Sequence, residues 1–181
     1  PTIEDCIVEN SGNTGIFLDY NSSALVRNCI VRNGGTGIFV RFQEALIQNC
    51  LIYGNTNSGI NSTSDSPPIV NCTIYGNTAN TGGGIRCSGL LTLSNSIVWG
   101  NMANNSRPSI SAINSNVIYS NIEGGFPGLG NIKAAPNFVN PDAADFHLLN
   151  NSPCIDAGNP SDDFSNEPNP NGGRVNMGFY G

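Results

Sequence analysis

Aromatic residues at a fixed spacing and a cluster of acids near the C-terminus are the parts of this 181-residue sequence that could do chemistry. Tyr53, Tyr75, Trp99 and Tyr119 recur at intervals of 22, 24 and 20 residues. Rings stacked on a flat surface can dock the C–H faces of sugars or form a protein contact. They can also brace neighbouring strands beneath a covering segment. Phe17 and Phe39 form a second pair, with Asp19 and Arg41 two residues further on. Asp19 and Arg41 are expected to make a cross-strand ion pair of small value.

The acids suggest a cation. Asp156, Asp162, Asp163, Glu167, Asn169 and Asn171 supply hard oxygen donors in a stretch rich in Gly, Pro and Asn. Calcium takes about six to eight such oxygens, which backbone carbonyls could complete. Against it, the stretch lacks the D-x-D-x-D-G spacing, and a solvated acidic loop is the plainer expectation. Polysaccharide lyases need a base beside a charge neutraliser, and hydrolases need clustered carboxylates. The Phe17 face offers Phe17, Asp19, Phe39, Arg41, Asn61, Thr63, Arg86 and Ser88, which is no such cluster. No catalytic residue is assigned, and calcium is the sole cofactor for which donors exist. His147 is the only histidine, so a Cys/His zinc site has no support.

The elements that position these residues repeat about every 22 residues. One motif runs Asn28-Cys29-Ile30-Val31-Arg32-Asn33, Asn49-Cys50-Leu51-Ile52-Tyr53-Gly54-Asn55, Asn71-Cys72-Thr73-Ile74-Tyr75-Gly76-Asn77 and Asn95-Ser96-Ile97-Val98-Trp99-Gly100-Asn101, with a degenerate copy at Val117-Ile118-Tyr119-Ser120-Asn121. A second motif is Gly15-Ile16-Phe17, Gly37-Ile38-Phe39, Gly59-Ile60-Asn61 and Gly84-Ile85-Arg86. Alternation along a strand puts Ile47, Cys50 and Ile52 inside, and Gln48, Leu51 and Tyr53 outside. Ile16 and Leu18, Ile38 and Val40, Ile60 and Ser62, and Ile85 and Cys87 also face inward. Three short strands per coil, joined by tight bends, predict an all-β, right-handed parallel β-helix. Residues 1–121 form the coils, and 122–181 the last coil and an irregular cap of the same domain. Ile3 already holds a coil position, so the chain is expected to be a fragment with coils missing upstream.

The bend residues Asn28, Asn49, Asn71 and Asn95 suit the left-handed region and are expected to stack as an amide ladder. Cys6, Cys29, Cys50 and Cys72 form an inward column that Ser96 continues. Stacked Cβ vectors run parallel, which fits a disulfide torsion poorly, so reduced buried thiols are expected.

Charged residues make up 11% of the chain, against roughly 25% in an average domain. Thirteen acids against seven bases exclude a nucleic-acid partner. No apolar run approaches the roughly 18 residues a membrane span needs.

The repeats resemble the right-handed parallel β-helix repeat proteins of bacteria, whose coils carry N-C-x-I-x-x-N and G-G or G-I patterns. Pro136-Asn137-Phe138-Val139-Asn140-Pro141, Asp145-Phe146-His147-Leu148, Ser152-Pro153-Cys154-Ile155-Asp156-Ala157-Gly158 and Asn171-Gly172-Gly173-Arg174-Val175-Asn176-Met177-Gly178-Phe179-Tyr180-Gly181 resemble that family's C-terminal cap. Here Asn169-Pro170-Asn171-Gly172 stands where the family has D-P-D-G, and Asn176 where it has a second Asp.

The resemblance implies a secreted or cell-surface bacterial protein, and a shape more than an activity. The leading expectation is a non-catalytic scaffold or adhesin offering a sheet face to polysaccharide or a protein partner. A polysaccharide lyase or hydrolase with its active site upstream, and a self-assembling fibre subunit, stay open as alternatives.

Overall fold

The computed structural model describes residues 1–19, 23–41, 45–105, 107–165, 167 and 172–180. Nearly all the regular structure is parallel β, stacked in three columns. The first column starts with Thr2–Glu4, Ala24–Arg27, Ala45–Gln48 and Ile69–Val70. Its inward residues are in register from Ile3 through Val26, Ile47, Ile69 and Leu93 to Val117. The second column is a six-stranded sheet of Ile7–Glu9, Ile30–Arg32, Leu51–Tyr53, Thr73–Tyr75, Ile97–Trp99 and Asn121–Ile122.

The third column holds Thr14–Leu18, Thr36–Val40 and Ile60–Ser62, and then the opening residues of Ile85–Ser94 and Ile110–Ile118. Those last two strands run on through the corner into the first column. That continuity joins the first and third columns into one nine-stranded sheet. The inward residues named from alternation form one continuous core: Ile16, Leu18, Ile38, Val40, Ile47, Cys50, Ile52, Ile60 and Ile85 are all buried in it. This is the solenoid that the repeat predicted.

The corners explain the asparagines. Asn28, Asn49, Asn71 and Asn95 have φ between 48° and 52°, in the left-handed region where Asn is tolerated better than most side chains. Asp5 and Tyr119 occupy the same corner, at 53° and 47°. The expected amide ladder, however, lies elsewhere. Asn28 Nδ2 donates to Asp5 Oδ1 at 3.2 Å, while the buried Oδ1 atoms of Asn49 and Asn71 accept no hydrogen bond. Asn95 is turned toward the C-terminal tail.

A hydrogen-bonded ladder is instead built at the next corner by the last Asn of each motif. Asn55 Nδ2 donates to Asn77 Oδ1 at 2.9 Å, and Asn77 Nδ2 to Asn101 Oδ1 at 3.1 Å. Each amide also bonds the backbone inside the cylinder. The interior leaves no water for these groups, so they must satisfy one another.

The thiols are free; Cys29, Cys50 and Cys72 are wholly buried as expected, while Cys6, in the first coil, is exposed. Each Sγ lies 3.1 to 3.2 Å from the carbonyl two residues before it. Ser96 and Ser120 continue the column with the same bond made by a hydroxyl. Hydrogen bonding with the neighbouring thiols, and then burial, push the Cys29 and Cys50 ionisations far up, so these groups stay neutral.

The glycine of each Gly-Ile pair is required by close approach. A Cβ at Gly37 would stand 2.5 Å from Gly59 O, and one at Gly84 would stand 2.4 Å from Ser109 O.

Beyond the coils, Phe138–Asn140 and Asp145–Leu148 pair antiparallel around the 3-10 turn Pro141–Ala143. This hairpin and the tail fold back over the outer face of the second column. Leu51 and Ile97 point out of the cylinder, yet they are buried in a second apolar cluster with Phe138, Phe146, Cys154 and Met177.

Candidate functional site

The cap lies on the aromatic column. Phe146 is buried against two rings, with centroids 5.1 Å from Tyr53 and 5.1 Å from Tyr75. Phe138 meets Tyr75 edge-on at 5.8 Å. Trp99 packs against the same cluster, and all four rings of the predicted column are partly buried. Burial raises the Tyr75 phenol above its ordinary range, with Asp142 and Glu123 adding to the effect. Tyr53 Oη lies 2.7 Å from Arg32 Nη1, and Arg32 also pairs with Glu9 at 2.6 Å. The cap's own phenylalanines pack against Tyr53 and Tyr75 and leave both rings only partly exposed.

Tyr119 does not belong to this column. Strand register pairs Leu93 with Val117 and Ile97 with Asn121, so Tyr119 stands at the Asn95 corner. Val117-Ile118-Tyr119 imitates Ile97-Val98-Trp99 in residue type, but the coil is 24 residues long here, and Ser120 occupies the Cys column. The Arg174 guanidinium sits 5.6 Å from the Tyr119 ring. Arg174 also donates to the carbonyls of Gly158 and Ala157. It therefore pins the tail through carbonyls and a ring.

Phe17 and Phe39 stand on an outer face, Phe17 exposed and Phe39 half-buried. Their rings stack at 5.3 Å with planes 9° apart, and Phe17 is 48% exposed. Strand register alone produces this, because Phe17 pairs with Phe39 across parallel strands. The Arg41 guanidinium lies 5.1 Å from the Phe17 ring and 3.1 Å from Asp19 Oδ1. Asn13, Thr14, Thr36, Asn57 and Asn61 complete a shallow groove of 450 Å³ around the two rings. Asn57 Nδ2 is already turned to Thr36 Oγ1 at 3.2 Å, which fixes the rim. The result is an apolar platform edged by amides and hydroxyls. The sequence revealed the rings and Asn61, which pairs with Phe39 in strand register, while Asn13 and Asn57 come from bends outside the strands, whose positions the repeat does not encode.

Asp162, Asp163 and Glu167 accept hydrogen bonds, while the buried Oδ1 of Asp156 accepts none among the described residues. Asp162 Oδ2 accepts from Asn95 Nδ2 at 2.7 Å, and its Oδ1 accepts from Asn159 Nδ2 at 2.9 Å. Asp163 accepts from the Ser165 N–H and hydroxyl, which holds its carboxyl below the ordinary range. The Asp156 N–H donates to Asn176 Oδ1, and Asn176 in turn binds Glu167. Asn169 and Asn171 lie outside the described residues. Among the described residues, no group of three or more His, Cys, Asp or Glu side chains is placed to hold a metal ion. No helix among them is long and apolar enough to cross a membrane.

Compared with known proteins, residues 1–127 match the model of a family described as the right handed beta helix region. No curated protein and no solved structure matches the chain.

Proposed function

This chain belongs to the right-handed beta helix family, and on that premise we propose that it is a non-catalytic, secreted or surface-displayed scaffold that binds polysaccharide on its Phe17–Phe39 face. The observation that carries the reading is the parallel pair of rings on a flat sheet, Phe17 exposed and Phe39 half-buried, rimmed by Asn13, Asn57 and Asn61. The two stacked rings present an apolar strip of ring edges and outer face to the C–H groups of a sugar, and the amides can hydrogen-bond its hydroxyls. Asp19, the carboxylate of this face, is bound to Arg41, which suits a binding surface better than an acid or base. The low charge of the chain and its resemblance to bacterial surface proteins support the extracellular setting.

A glycan array followed by calorimetry on the best hit tests the reading. Phe17→Ala with Phe39→Ala should weaken binding about tenfold or more, with an unchanged thermal midpoint. A silent array, or equal binding by the double variant, would sink it.

A further inference from the structure

The end of the solenoid after its last coil is closed on one side and open on the other. Residues 126–132 lie beneath the second column and pair with it as a further coil would. Tyr119 N donates to Leu129 O at 2.8 Å, Ile132 N to Ser120 O at 2.9 Å, and Ile122 N to Ile132 O at 3.0 Å. Asn131 Nδ2 closes the corner on Val117 O at 2.8 Å.

The third column has no such closure. Ile110–Ile118 pairs with Ile85–Ser94, and among the described residues no strand lies on its other side. In the preceding coils the N–H of the column isoleucine donates onward: Ile38 to Gly59 O, Ile60 to Gly84 O and Ile85 to Ser109 O, each at 2.9 Å. Ile110 is next in that series, so its N–H points away from the stack, as does that of Ala112 two residues on.

Edges of this kind are usually blunted by charge, proline or a bulge. From Ser109 to Ile118 there is neither a charged residue nor a proline, although Arg107 Nη1 lies 3.5 Å from Ala112 O and the pairing with Ile85–Ser94 is irregular between Cys87 and Leu90. Ile113 is 75% exposed, and Asn114, Ser115 and Asn116 are exposed beside it. The edge also borders the mouth of the cylinder, a 390 Å³ depression lined by Pro108, Ile110, Ala112, Ile122 and Phe126, with Arg107 at its rim. In earlier coils the next inward isoleucine fills the equivalent space.

We propose that the open edge of Ile110–Ile118 takes a single extended segment of a partner polypeptide as an added parallel strand, with one apolar side chain of that segment seated in the mouth. The closure beneath the second column selects this occupant. Residues 126–132 already stand where a following coil would begin, so another solenoid end, a second copy included, is held off before its strand reaches pairing distance. A lone strand meets no such obstacle.

The probe is a fluorescein-labelled synthetic peptide copying residues 55–65 of this chain, whose Ile60 is an inward residue of the same column. Its anisotropy should rise on titration with the intact protein. Ala112→Pro removes an outward N–H without touching the side that pairs with Ile85–Ser94, and should weaken binding about tenfold or more. Ile113→Lys, at an exposed position, should do the same through the edge alone, which keeps the test valid if the proline perturbs folding. A peptide carrying Ile60→Asp should fail to bind. No anisotropy rise, or binding indifferent to both protein variants and to the Ile60→Asp change, overturns the proposal. A concentration-dependent dimer in sedimentation, abolished by Ile113→Lys, overturns it in favour of a second copy.

Discussion

The ring of Phe146 meets the ring of Tyr75 at 5.1 Å and 62°, bridging a hairpin late in the chain to a strand near its middle. The hairpin's own two strands cannot bury their apolar face alone. Phe146 gives the cap a place to dock, and the tyrosines of the second column gain a roof.

Phe146→Ala should therefore cost about 3 to 5 kcal/mol, as expected for emptying a buried aromatic site. Denaturant unfolding followed by the emission of Trp99, the single tryptophan, checks both the size and the place. A loss below about 1 kcal/mol, with unchanged Trp99 emission, would mean that the cap is not held by this residue.

Asn77 lies in the middle of the interior ladder. It donates to Ile52 O and Asn101 Oδ1 and accepts from Asn55 N and Nδ2. Asn77→Ala strands several buried polar groups, at about 1 to 3 kcal/mol for each left unmade. The loss should exceed that of Asn28→Ala, whose side chain makes an exposed bond to Asp5. Parallel urea melts of the two variants decide the ranking, and equal losses would refute it.

Tyr75 gives the fold a sensitivity to alkaline pH. Its phenol is raised by burial first and by Asp142 and Glu123 after that, so the folded state holds the proton more tightly than the unfolded chain. This contribution is complete below the unfolded value of about 10 and is lost as pH rises through the higher folded value. Thermal midpoints between about pH 8 and 11 should fall at the top of that range. The fall should be shallower in Tyr75→Phe, and identical slopes for the two proteins would count against the assignment.

The sequence revealed what the period controls. A side chain that recurs in every coil, such as Ile47 or Cys50, has its direction set by strand alternation, and its neighbours are its own copies. Two features escaped. Likeness to Trp99 misplaces Tyr119, and the Ser120 hydroxyl on the Cys column is the truer marker of register. The interior ladder was signalled by the recurring last Asn in Gly54-Asn55, Gly76-Asn77 and Gly100-Asn101, but the first Asn of each motif carries the stronger turn chemistry and drew the expectation. Contacts of the cap, such as Phe179 N to Thr73 Oγ1 at 3.0 Å across 106 residues, follow no period. Nothing in local sequence could reveal which rings it would cover.

The cap's route has a mechanical consequence. In a plain solenoid each coil holds only its neighbours, so the stack can unravel one coil at a time. Here Gly178 N reaches Asn95 O, Phe179 N reaches Thr73 Oγ1, and Phe146 reaches Tyr53. Three successive coils are laced by one strap and must let go together. In the coil of Ile38 only Ile30 packs against the cap cluster, and the coil of Ile16 has no such lacing among the described residues. Under load, or in amide exchange, the chain should behave as a stiff block joined to a ravelling end, giving the stack a direction in which it comes apart.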